Sequence, residues 1–395
     1  MKVFFITNMN VDNNKGGLFN ATYERMKMHN KKLRQVIITN CNVGHSTLVR
    51  LIGKFIFSKK INKNPDIKKC EYNGIDIHNL NLKLDVFSYF KRHFLKQSLE
   101  DQIVKKYVAR FDNYLKSSDA IHAHWGWPNG YVAYKLSNKY SIPYYITFHG
   151  SDINYLKEKS KKKMITVMEN ANKCFFVSEE LYANALKIGY TGYNKAITYN
   201  GVDLDMFRIN DHCKDSGKKV VGYVGSLEEK KGADYLVDIY RGIDKKKHSV
   251  EFVIVGDGSL SQCLEEEFKK KATDVNVKFT GGINPDEVPI TMNQLDVLVV
   301  PSRNEGFGMV VLEANSCGVP VVGSNVGGLP EAIEYTKNII NMDNDFTHNM
   351  ANRVVEILEG DSLTQEQYRE RVKRKFSWDH ITDFEIETYK SLPND

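Results

Sequence analysis

Short apolar runs alternate with longer amphipathic stretches through both halves of the chain, and this alternation limits the possible folds more than any other feature. The runs are residues 3–7, 36–39, 120–124, 144–148, 175–178, 197–199, 220–224, 252–255, 275–279, 297–300, 319–322 and 338–340. Runs rich in Val, Ile and Phe and bounded by Gly or Asp are typical of buried parallel strands, with crossover helices between them. Two successive β/α series predict an α/β protein with two doubly wound, Rossmann-like parallel sheets.

Length and charge also indicate two domains. The chain has 395 residues, more than one hydrophobic core usually spans. Residues 1–202 contain 32 Lys and Arg against 15 Asp and Glu, a formal charge of +17, whereas the remainder contains 23 against 34, a charge of −11. A basic half and an acidic half indicate two modules with different tasks.

The cysteines and the hydropathy exclude several classes of protein. The six cysteines are far apart and form no C-x-x-C pair, which argues against zinc ribbons and thioredoxin-like redox sites. The apolar run at the amino terminus is too short for a signal peptide, and no run approaches the length of a membrane-spanning helix. We therefore expect a cytoplasmic protein or one on the inner face of a membrane.

Polar and Gly-rich segments follow many of the predicted strands. In open parallel sheets, ligands bind beyond the carboxyl ends of the strands. The segments in question are residues 8–17, 122–124, 149–152, 225–232, 256–258 and 301–308. Because they come from both halves, we expect the site in a cleft between the two domains.

The segment 301–314 (PSRNEGFGMVVLEA) is the most informative of these. A predicted strand ends at Pro301, and a helix is expected from about Gly308. The backbone N–H groups of Gly306, Phe307, Gly308 and Met309 would then form an anion site at a helix amino terminus, suited to a diphosphate. Glu305 precedes the helix and Glu313 lies inside it, so one carboxylate can meet a sugar while the other meets a ribose. From the spacing alone, a first-turn acid and a solvated helical Glu explain the pair equally well.

With the segments Gly318-Val-Pro-Val-Val and Val326-Gly-Gly-Leu-Pro-Glu331, this pattern resembles the retaining family 4 glycosyltransferases of GT-B fold. The segments His122-Ala-His-Trp125 and Phe148-His-Gly-Ser-Asp152 look most like the bacterial enzymes of capsule, O-antigen and exopolysaccharide assembly. Further matches follow in family order: Gly16-Gly17, Phe148-His-Gly-Ser-Asp152, Asn200-Gly-Val-Asp203, Lys231-Gly232, Val255-Gly-Asp-Gly258 and Phe279-Thr-Gly281. The resemblance implies an acceptor-binding domain of residues 1–202 plus a terminal helix 377–395, and a donor-binding domain of residues 203–376.

The resemblance also implies roles for individual residues. Three are expected to be catalytic: Lys231 at the donor diphosphate, Glu305 at the transferred sugar, and His149 beside the sugar and the acceptor. Glu313 is expected to bind the ribose hydroxyls. The full donor-binding set implied in this way is Gly16, Gly17, Lys231, Gly256, Gly281, Glu305, Gly306, Phe307, Gly308, Met309 and Glu313.

One position departs from the family pattern. The family commonly has an Arg five residues before the Lys, where this chain has Ser226. A leaving diphosphate needs positive charge if no metal is held. Strong diphosphate binding then requires that Lys230, Arg303 or the loop amides compensate for the missing Arg.

Acceptor-side residues are predicted on weaker grounds. Asp152 can orient His149 or the acceptor, or simply cap a helix. His122 and His124 alternate along one strand, so we expect them to face opposite sides and at most one to face the cleft. His124 is the better candidate because it lies nearer the strand end. Trp125 and Trp127 fit a sugar-stacking role no better than loop packing.

No metal and no cofactor are predicted. Asp203-Leu-Asp205 and Asp343-Asn-Asp345 spell D-x-D, a metal-diphosphate motif of another glycosyltransferase fold, but both fit turns better. The chain also has no P-loop, and Gly256-Asp-Gly258 lacks the third Gly of the dinucleotide-binding pattern.

Basic amphipathic stretches in the first half predict contact with an anionic membrane. They are residues 46–63 and 84–97, and the Lys-rich segment 157–163 adds a third basic stretch. Amphipathic crossover helices with a solvated basic face are the alternative, and nucleic-acid binding is not expected because the aromatic residues are spaced for burial.

The sequence as a whole thus predicts a glycosyltransferase, hexosyl or N-acetylhexosaminyl, that uses a nucleotide diphosphate sugar, UDP being the commoner nucleotide. The acceptor is expected to be a glycan or a lipid-linked glycan. Two alternatives stay open: a nucleotide-sugar 2-epimerase of similar fold, and a non-catalytic binder of nucleotide sugar or nucleic acid.

Overall fold

The computed structural model describes residues 1–9, 17–45, 69–84 except 73, 98–210 except 155 and 157, 217, and 219–391 except 248 and 249. Within these residues the chain forms two parallel-sheet α/β units. The predicted fold class is therefore confirmed.

The first sheet has the strand order β3-β4-β2-β1-β5-β6-β7-β8. Its strands are β1 (Lys2–Thr7), β2 (Gln35–His45), β3 (Lys69–Tyr72), β4 (Ile75–Leu84), β5 (Ala120–His124), β6 (Tyr144–Phe148), β7 (Lys173–Phe176) and β8 (Lys195–Ile197). All neighbours pair in parallel except β3, which pairs antiparallel to β4. The crossover helices are α1 (Gly17–Lys32), α2 (Leu99–Lys116), α3 (Tyr131–Tyr140), α4 (Ser151–Asn154), α5 (Glu158–Glu169) and α6 (Glu179–Lys187).

The second sheet is parallel throughout, with the order β11-β10-β9-β12-β13-β14. Its strands are β9 (Lys219–Val224), β10 (Val250–Val255), β11 (Val277–Gly281), β12 (Val297–Val300), β13 (Val321–Ser324) and β14 (Ile339–Ile340). The helices are α7 (Leu236–Asp244), α8 (Ser261–Lys271), α9 (Val288–Gln294), α10 (Met309–Ser316), α11 (Leu329–Ile333), α12 (Phe346–Leu358), α13 (Gln365–Phe376) and α14 (Trp378–Lys390).

Local sequence explains where these helices begin and which face they bury. The Ser98 hydroxyl accepts a hydrogen bond from the Asp101 N–H (3.1 Å) and so caps α2, which buries Ile103, Tyr107 and Phe111 at a spacing of one helical turn. The β-branched and aromatic side chains of the strands pack against these helix faces. In the second unit, Val221 and Phe252 belong to such a hydrophobic cluster. Each sheet thereby gains its own hydrophobic core.

The pairing of β3 and β4 was not predicted. The segment IDIHNLNLKL of β4 mixes five apolar residues with five polar ones and does not form an apolar run. It nevertheless buries Ile75, Ile77, Leu80 and Leu82, since β4 pairs with β2 along its length. Three predicted runs, 120–124, 144–148 and 297–300, coincide with their strands, and the bounds of most others differ by one or two residues. The strand β2 continues six residues beyond its run.

The two units divide the chain at slightly different positions from those predicted. Unit 1 comprises residues 1–177, 181–198 and 384–395, and unit 2 comprises residues 178–180 and 199–383. The terminal helix α14 is shared between them, since the division falls before Phe384 rather than at residue 377. The donor-binding and acceptor-binding tasks of the two domains stay predictions.

Candidate active site

Lys231 and Glu305 meet at the carboxyl edge of the second sheet. Lys231 ends a short 3-10 turn (Glu229–Lys231) after β9, and Glu305 lies in the loop after the neighbouring strand β12. The Lys231 ammonium donates a hydrogen bond to Oε2 of Glu305 and forms an ion pair with it. The two side chains keep 29% and 15% of their surface exposed, so a ligand can reach both.

Backbone contacts hold the two loops together. The N–H groups of Arg303 and Asn304 donate to the carbonyl of Lys230 at 2.9 and 3.1 Å. Gly232 adopts φ +67°, and a Cβ there would lie 1.9 Å from the carbonyl oxygen of Pro301. Only glycine allows this close approach. The position of Lys231 next to Glu305 is therefore fixed by the backbone of both loops.

Arg303 serves this loop contact rather than a ligand. Its guanidinium donates to both carboxylate oxygens of Asp234 at 2.6 Å and to the carbonyl of Glu229 at 2.7 Å. It also lies 4.0 Å from the ring centroid of Tyr235. The hydrogen bonds that Arg303 donates to Asp234 raise the pKa of Arg303 above its ordinary value. Of the groups that could compensate for Ser226, Arg303 is thus already engaged.

The loop before α10 presents free backbone donors. Within the described part of the chain, the N–H groups of Gly306, Phe307, Gly308 and Met309 donate no hydrogen bond. Phe307 and Gly308 are buried, where unpaired N–H groups are rare unless a ligand or water satisfies them. The Phe307 side chain is occupied, since its ring packs on Tyr199 (5.3 Å between centroids) and Phe376 (5.6 Å). The predicted anion site is therefore one of backbone groups.

The Gly-Gly pair after β13 supports the Glu305 loop from behind. Gly327 has φ +58°, and a Cβ there would lie 1.8 Å from the carbonyl oxygen of Glu305. The next residue, Gly328, donates its N–H to the same carbonyl at 3.2 Å. These contacts explain physically why two glycines occur in the segment Val326-Gly-Gly-Leu-Pro.

Glu313 lies in the middle of α10 and is partly buried. Its carboxylate has no hydrogen-bond partner among the described residues. Burial raises its pKa to about 7. A half-buried carboxyl group without a partner inside the described part of the protein can accept hydrogen bonds from a ligand.

Glycines also line the ends of β9, β10 and β11. Gly256 has φ +132°, and a Cβ there would lie 1.8 Å from the carbonyl oxygen of Gly225. The Gly256 N–H donates to the carbonyl of Gly281 at 2.9 Å. Beside them Ser226 is exposed, and its carbonyl accepts a hydrogen bond from the Tyr223 hydroxyl at 2.8 Å. The predicted residues Gly256 and Gly281 thus lie side by side at the strand ends, where neither has a side chain to cover its backbone groups.

In unit 1, His149 follows β6 and is almost completely buried, with 6% of its surface exposed. Asp152 fixes the backbone around it. Its Oδ1 accepts the N–H groups of His149 (3.2 Å) and Gly150 (3.0 Å), and its Oδ2 accepts that of Gly126 (3.0 Å). Asp152 therefore acts on backbone groups of two loops, and it does not cap α4, because it lies inside that helix and the three N–H groups it accepts come from outside it.

His124 and His122 lie on the same face of β5. Their rings stack with centroids 4.9 Å apart, because residues two positions apart in a strand point the same way. The expectation that they face opposite sides of the strand was therefore wrong, and both are fully buried. His124 contacts His149 through Nδ1 and Nε2 at 2.9 Å, while His122 bonds Tyr389 and Thr147.

The two tryptophans have different contacts, and the sugar-stacking role stays a prediction. The Trp127 indole donates to Glu100 at 3.2 Å and its ring packs on Tyr131, so it stabilises the loop. Trp125 has φ +70°, which is unusual for a bulky residue, and its ring lies 4.7 Å from that of His149. Trp125 is thus part of the His149 environment.

Asn129 is a residue of this region that the sequence analysis missed. Its amide donates to the carbonyl of His124 at 2.8 Å and to the side chain of Asn8 at 3.1 Å. It thereby joins the ends of β5 and β1. The Pro-Asn-Gly sequence at residues 128–130 was the available signal, since Asn in a turn is often used for such bonds.

Two groups of predicted residues remain to be placed. Gly16 lies outside the described residues, and Gly17 is the first residue of α1. The D-x-D segments form turns as predicted, since Asp203 accepts the N–H of Asp205 at 3.0 Å and Asp343 accepts that of Asp345 at 3.1 Å. No cluster of His, Cys, Asp and Glu suited to a metal ion occurs among the described residues.

Known glycosyltransferases are similar to this chain in sequence. Residues 207–375 match the family described as glycosyl transferases group 1, and residues 83–206 match glycosyltransferase family 4. An uncharacterized glycosyltransferase of Methanocaldococcus jannaschii is 32% identical over 285 residues, which cover 69% of this chain and 76% of that protein. A Bacillus subtilis protein named as a glycosyltransferase of teichuronic acid biosynthesis is 28% identical over 83% of this chain and 82% of its own length.

Solved structures show the same fold. The crystal structure of Anabaena HepE in complex with UDP superposes with a TM-score of 0.74 at 18% identity, covering 99% of this chain and 100% of that one. Sucrose-phosphate synthase from Thermosynechococcus elongatus superposes with a TM-score of 0.73 at 19% identity, over 99% of both chains.

Proposed function

The chain belongs to the family 4 glycosyltransferases of GT-B fold, and from this premise we propose that it transfers a sugar from a UDP-linked donor to a glycan or polyprenyl-diphosphate-linked acceptor of a bacterial surface polysaccharide. The observation that carries the proposal is the contact of Lys231 with Glu305 beside four free backbone N–H groups. The name of the Bacillus subtilis relative and the UDP in the HepE crystal structure support the acceptor class and the nucleotide.

The two charged residues suit the two ends of a sugar diphosphate. The Lys231 ammonium and the N–H groups of Gly306 to Met309 attract phosphate oxygens, and Glu305 accepts hydrogen bonds from sugar hydroxyls. Glu313, whose carboxylate has no partner among the described residues, accepts the ribose hydroxyls. In unit 1, His149 is the residue that contacts the transferred sugar.

We propose that the anomeric configuration is retained by displacement on the front face. The bond between C1 and the diphosphate oxygen breaks, the acceptor oxygen bonds to C1 on the same face, and the departing oxygen takes the acceptor proton. Lys231 and the backbone N–H groups stabilise the negative charge that develops on the diphosphate. Because these groups supply the positive charge, we propose that no metal is required and that turnover is unchanged in EDTA.

We further propose that the protein acts in the cytoplasm at the inner face of the membrane. No helix among the described residues has the length and apolar character to cross a bilayer. Stretches 46–63 and 85–97 lie outside the described residues. On α5, Lys162 and Lys163 are exposed while Met164 and Val167 are buried in the unit 1 core, so this helix would attract anionic lipid by charge alone.

Vesicle binding tests the membrane proposal. We expect sedimentation with vesicles that contain phosphatidylglycerol, no sedimentation with pure phosphatidylcholine vesicles, and release by high salt, because surface charges are screened. Lys162→Glu with Lys163→Glu should weaken binding, and Lys270→Glu with Lys271→Glu on α8 is the matched control. Equal binding to both kinds of vesicle would contradict an electrostatic mechanism.

Nucleotide release decides between the transferase and its alternatives. A panel of UDP- and GDP-sugars is incubated with and without a crude lipid-linked acceptor. Release of UDP only with acceptor supports the proposal. Release of UDP or interconversion of the sugar without acceptor would favour an epimerase, and binding without any turnover would favour a sensor.

A further inference from the structure

We propose that His124 is a positioning residue: its Nδ1–H donates to Nε2 of His149 and so holds His149 in the tautomer that presents an Nδ1–H to the transferred sugar. The inference rests on the proposed function, in which His149 contacts that sugar. It replaces the direct acceptor contact that the sequence suggested for His124.

The backbone positions of both histidines are fixed by other residues. Asn129 binds the carbonyl of His124, and Asp152 binds the N–H of His149. The two residues lie at the ends of β5 and β6, which pair in parallel. Because the backbone is fixed in this way, the contact at 2.9 Å between the rings acts on the positions of the ring protons.

Both rings are neutral near pH 7, because burial lowers the pKa of His124 and of His149 well below the ordinary value. A neutral imidazole has one donor and one acceptor nitrogen, so one ring donates to the other. The remaining nitrogens, Nε2 of His124 and Nδ1 of His149, are buried and have no hydrogen-bond partner among the described residues. One of these two atoms must carry an N–H.

The surroundings favour placing that N–H on His149. His124 is fully buried against the rings of Phe5 and His122, and both nitrogens of His122 already bond Tyr389 and Thr147. An N–H on Nε2 of His124 would stay unsatisfied at a cost of about 1–3 kcal/mol. His149 keeps 6% of its surface exposed whereas His124 keeps none, so of the two rings that of His149 lies nearer the surface, where the proposed function places the sugar.

Trp125 completes the positioning of the ring. Its indole lies over His149 at 4.7 Å between centroids, with the planes tilted by 40°. The ring of His149 is thus held by Trp125 on one side and by the hydrogen bond to His124 at its edge. Rotation of the ring by half a turn would break the bond to His124.

Histidine ¹⁵N NMR of the full-length protein without substrate tests the tautomer directly. The signals of His149 are assigned by their loss in His149→Asn. We expect a protonated Nδ1 and a bare Nε2. A His149 ring protonated at Nε2 would overturn the inference. This measurement needs no turnover, so an inactive wild-type protein would count against the proposed function and leave the tautomer result standing.

Kinetics of two variants of similar size provide the second test. His124→Leu removes the donor and should lower kcat by about ten- to a hundredfold, the range seen when the partner that orients a functional imidazole is lost. His124→Asn keeps an amide N–H near the place of Nδ1 and should restore most of kcat. Melting curves check that both variants fold. A folded Leu variant with wild-type kcat, or equal losses in Leu and Asn, would overturn the role.

Discussion

Lys231 and Glu305 lie 74 positions apart in the chain, yet their side chains form an ion pair at the ends of two neighbouring strands. Each is partly exposed, and each belongs to a loop that is fixed by backbone contacts to the other. At this scale the site is a small set of charges whose places are set by the sheet. Its chemistry can therefore be tested by single substitutions.

Removing either charge should slow turnover without unfolding the protein. We expect Glu305→Gln and Lys231→Ala each to lower kcat by about tenfold or more, since each group stabilises charge or binds sugar in the transition state. Steady-state nucleotide release measures the effect. Glu266→Gln and Lys270→Ala, which alter an exposed pair on α8, are the matched controls. Wild-type rates in both site variants would contradict the assigned site.

We expect the Glu313 carboxylate to lower the stability of the folded protein while it strengthens the binding of UDP. Its carboxyl has a pKa raised to about 7, so the folded state favours the protonated form and loses stability as pH rises from the unfolded pKa through 7. We expect Glu313→Gln to raise Tm by about 3 °C or more at about pH 8, which corresponds to roughly 1 kcal/mol, and not to raise it at about pH 4. Differential scanning calorimetry measures both.

The same variant should bind UDP more weakly, because in the proposed binding mode Glu313 accepts both ribose hydroxyls and an amide offers only one acceptor oxygen. The loss should be largest above pH 7, where the wild-type carboxyl is ionised, and titration calorimetry on wild type and variant cancels the titration of UDP itself. A Tm gain that is independent of pH would show that burial of this carboxyl does not explain the effect.

At the scale of elements, the loops at the strand ends are held in place by glycines. Gly232, Gly256 and Gly327 each adopt a positive φ, and each brings a neighbouring loop's carbonyl within 2 Å of where a Cβ would be. The loop of Glu305 is supported in this way by the loop after β13. The Gly-Gly pair at residues 327 and 328 is thus required by the packing of this loop.

Gly327→Ala should disrupt the Glu305 loop specifically. The substitution adds a Cβ that would lie 1.8 Å from the Glu305 carbonyl, so the loop must move. We expect a loss of kcat of about tenfold or more, by the same transition-state argument as for Glu305 itself. Gly360→Ala is the matched control, since Gly360 also has a positive φ but no atom within 4 Å of the added Cβ. Similar losses in both variants would mean that φ alone is responsible.

At the scale of the whole molecule, the terminal helix α14 ties the end of the chain to unit 1. The fully buried Arg25 pairs with the fully buried Glu385 at 2.9 Å. His29 lies 3.3 Å from the other oxygen of Glu385, and burial lowers its pKa to about 3, so it stays neutral. His122 bonds the Tyr389 hydroxyl at 2.5 Å. Residues from both ends of the chain thus share one polar core.

Breaking this pair should destabilise unit 1. We expect Glu385→Gln to cost about 3–5 kcal/mol, because it leaves the Arg25 charge buried without its partner. The double variant Arg25→Met with Glu385→Leu should recover most of that loss. Guanidinium unfolding followed by circular dichroism measures both. Glu370→Ala, which removes an exposed pair with Lys373, should cost less than about 1 kcal/mol. A Glu385→Gln variant as stable as the control would contradict a structural role for the buried pair.

The sequence by itself determined the two parallel sheets and the local motifs. Alternating apolar runs mark buried strands directly, and the order of motifs identified the family. It missed β3 and β4, because the polar residues of β4 interrupt its apolar pattern and the pairing with β2 is a long-range contact. It could not show that Arg303 is bound to Asp234, because that bond depends on two loops 69 residues apart.

Only the tertiary structure decided what each polar side chain contacts. His124 was expected near the acceptor, but the pairing of β5 with β6 places its ring against His149. Glu313 followed from spacing only as a helical acid, and burial gives it a raised pKa. Sequence patterns report which residues are apolar and where strands end, whereas hydrogen-bond partners and desolvation depend on residues brought together from distant parts of the chain.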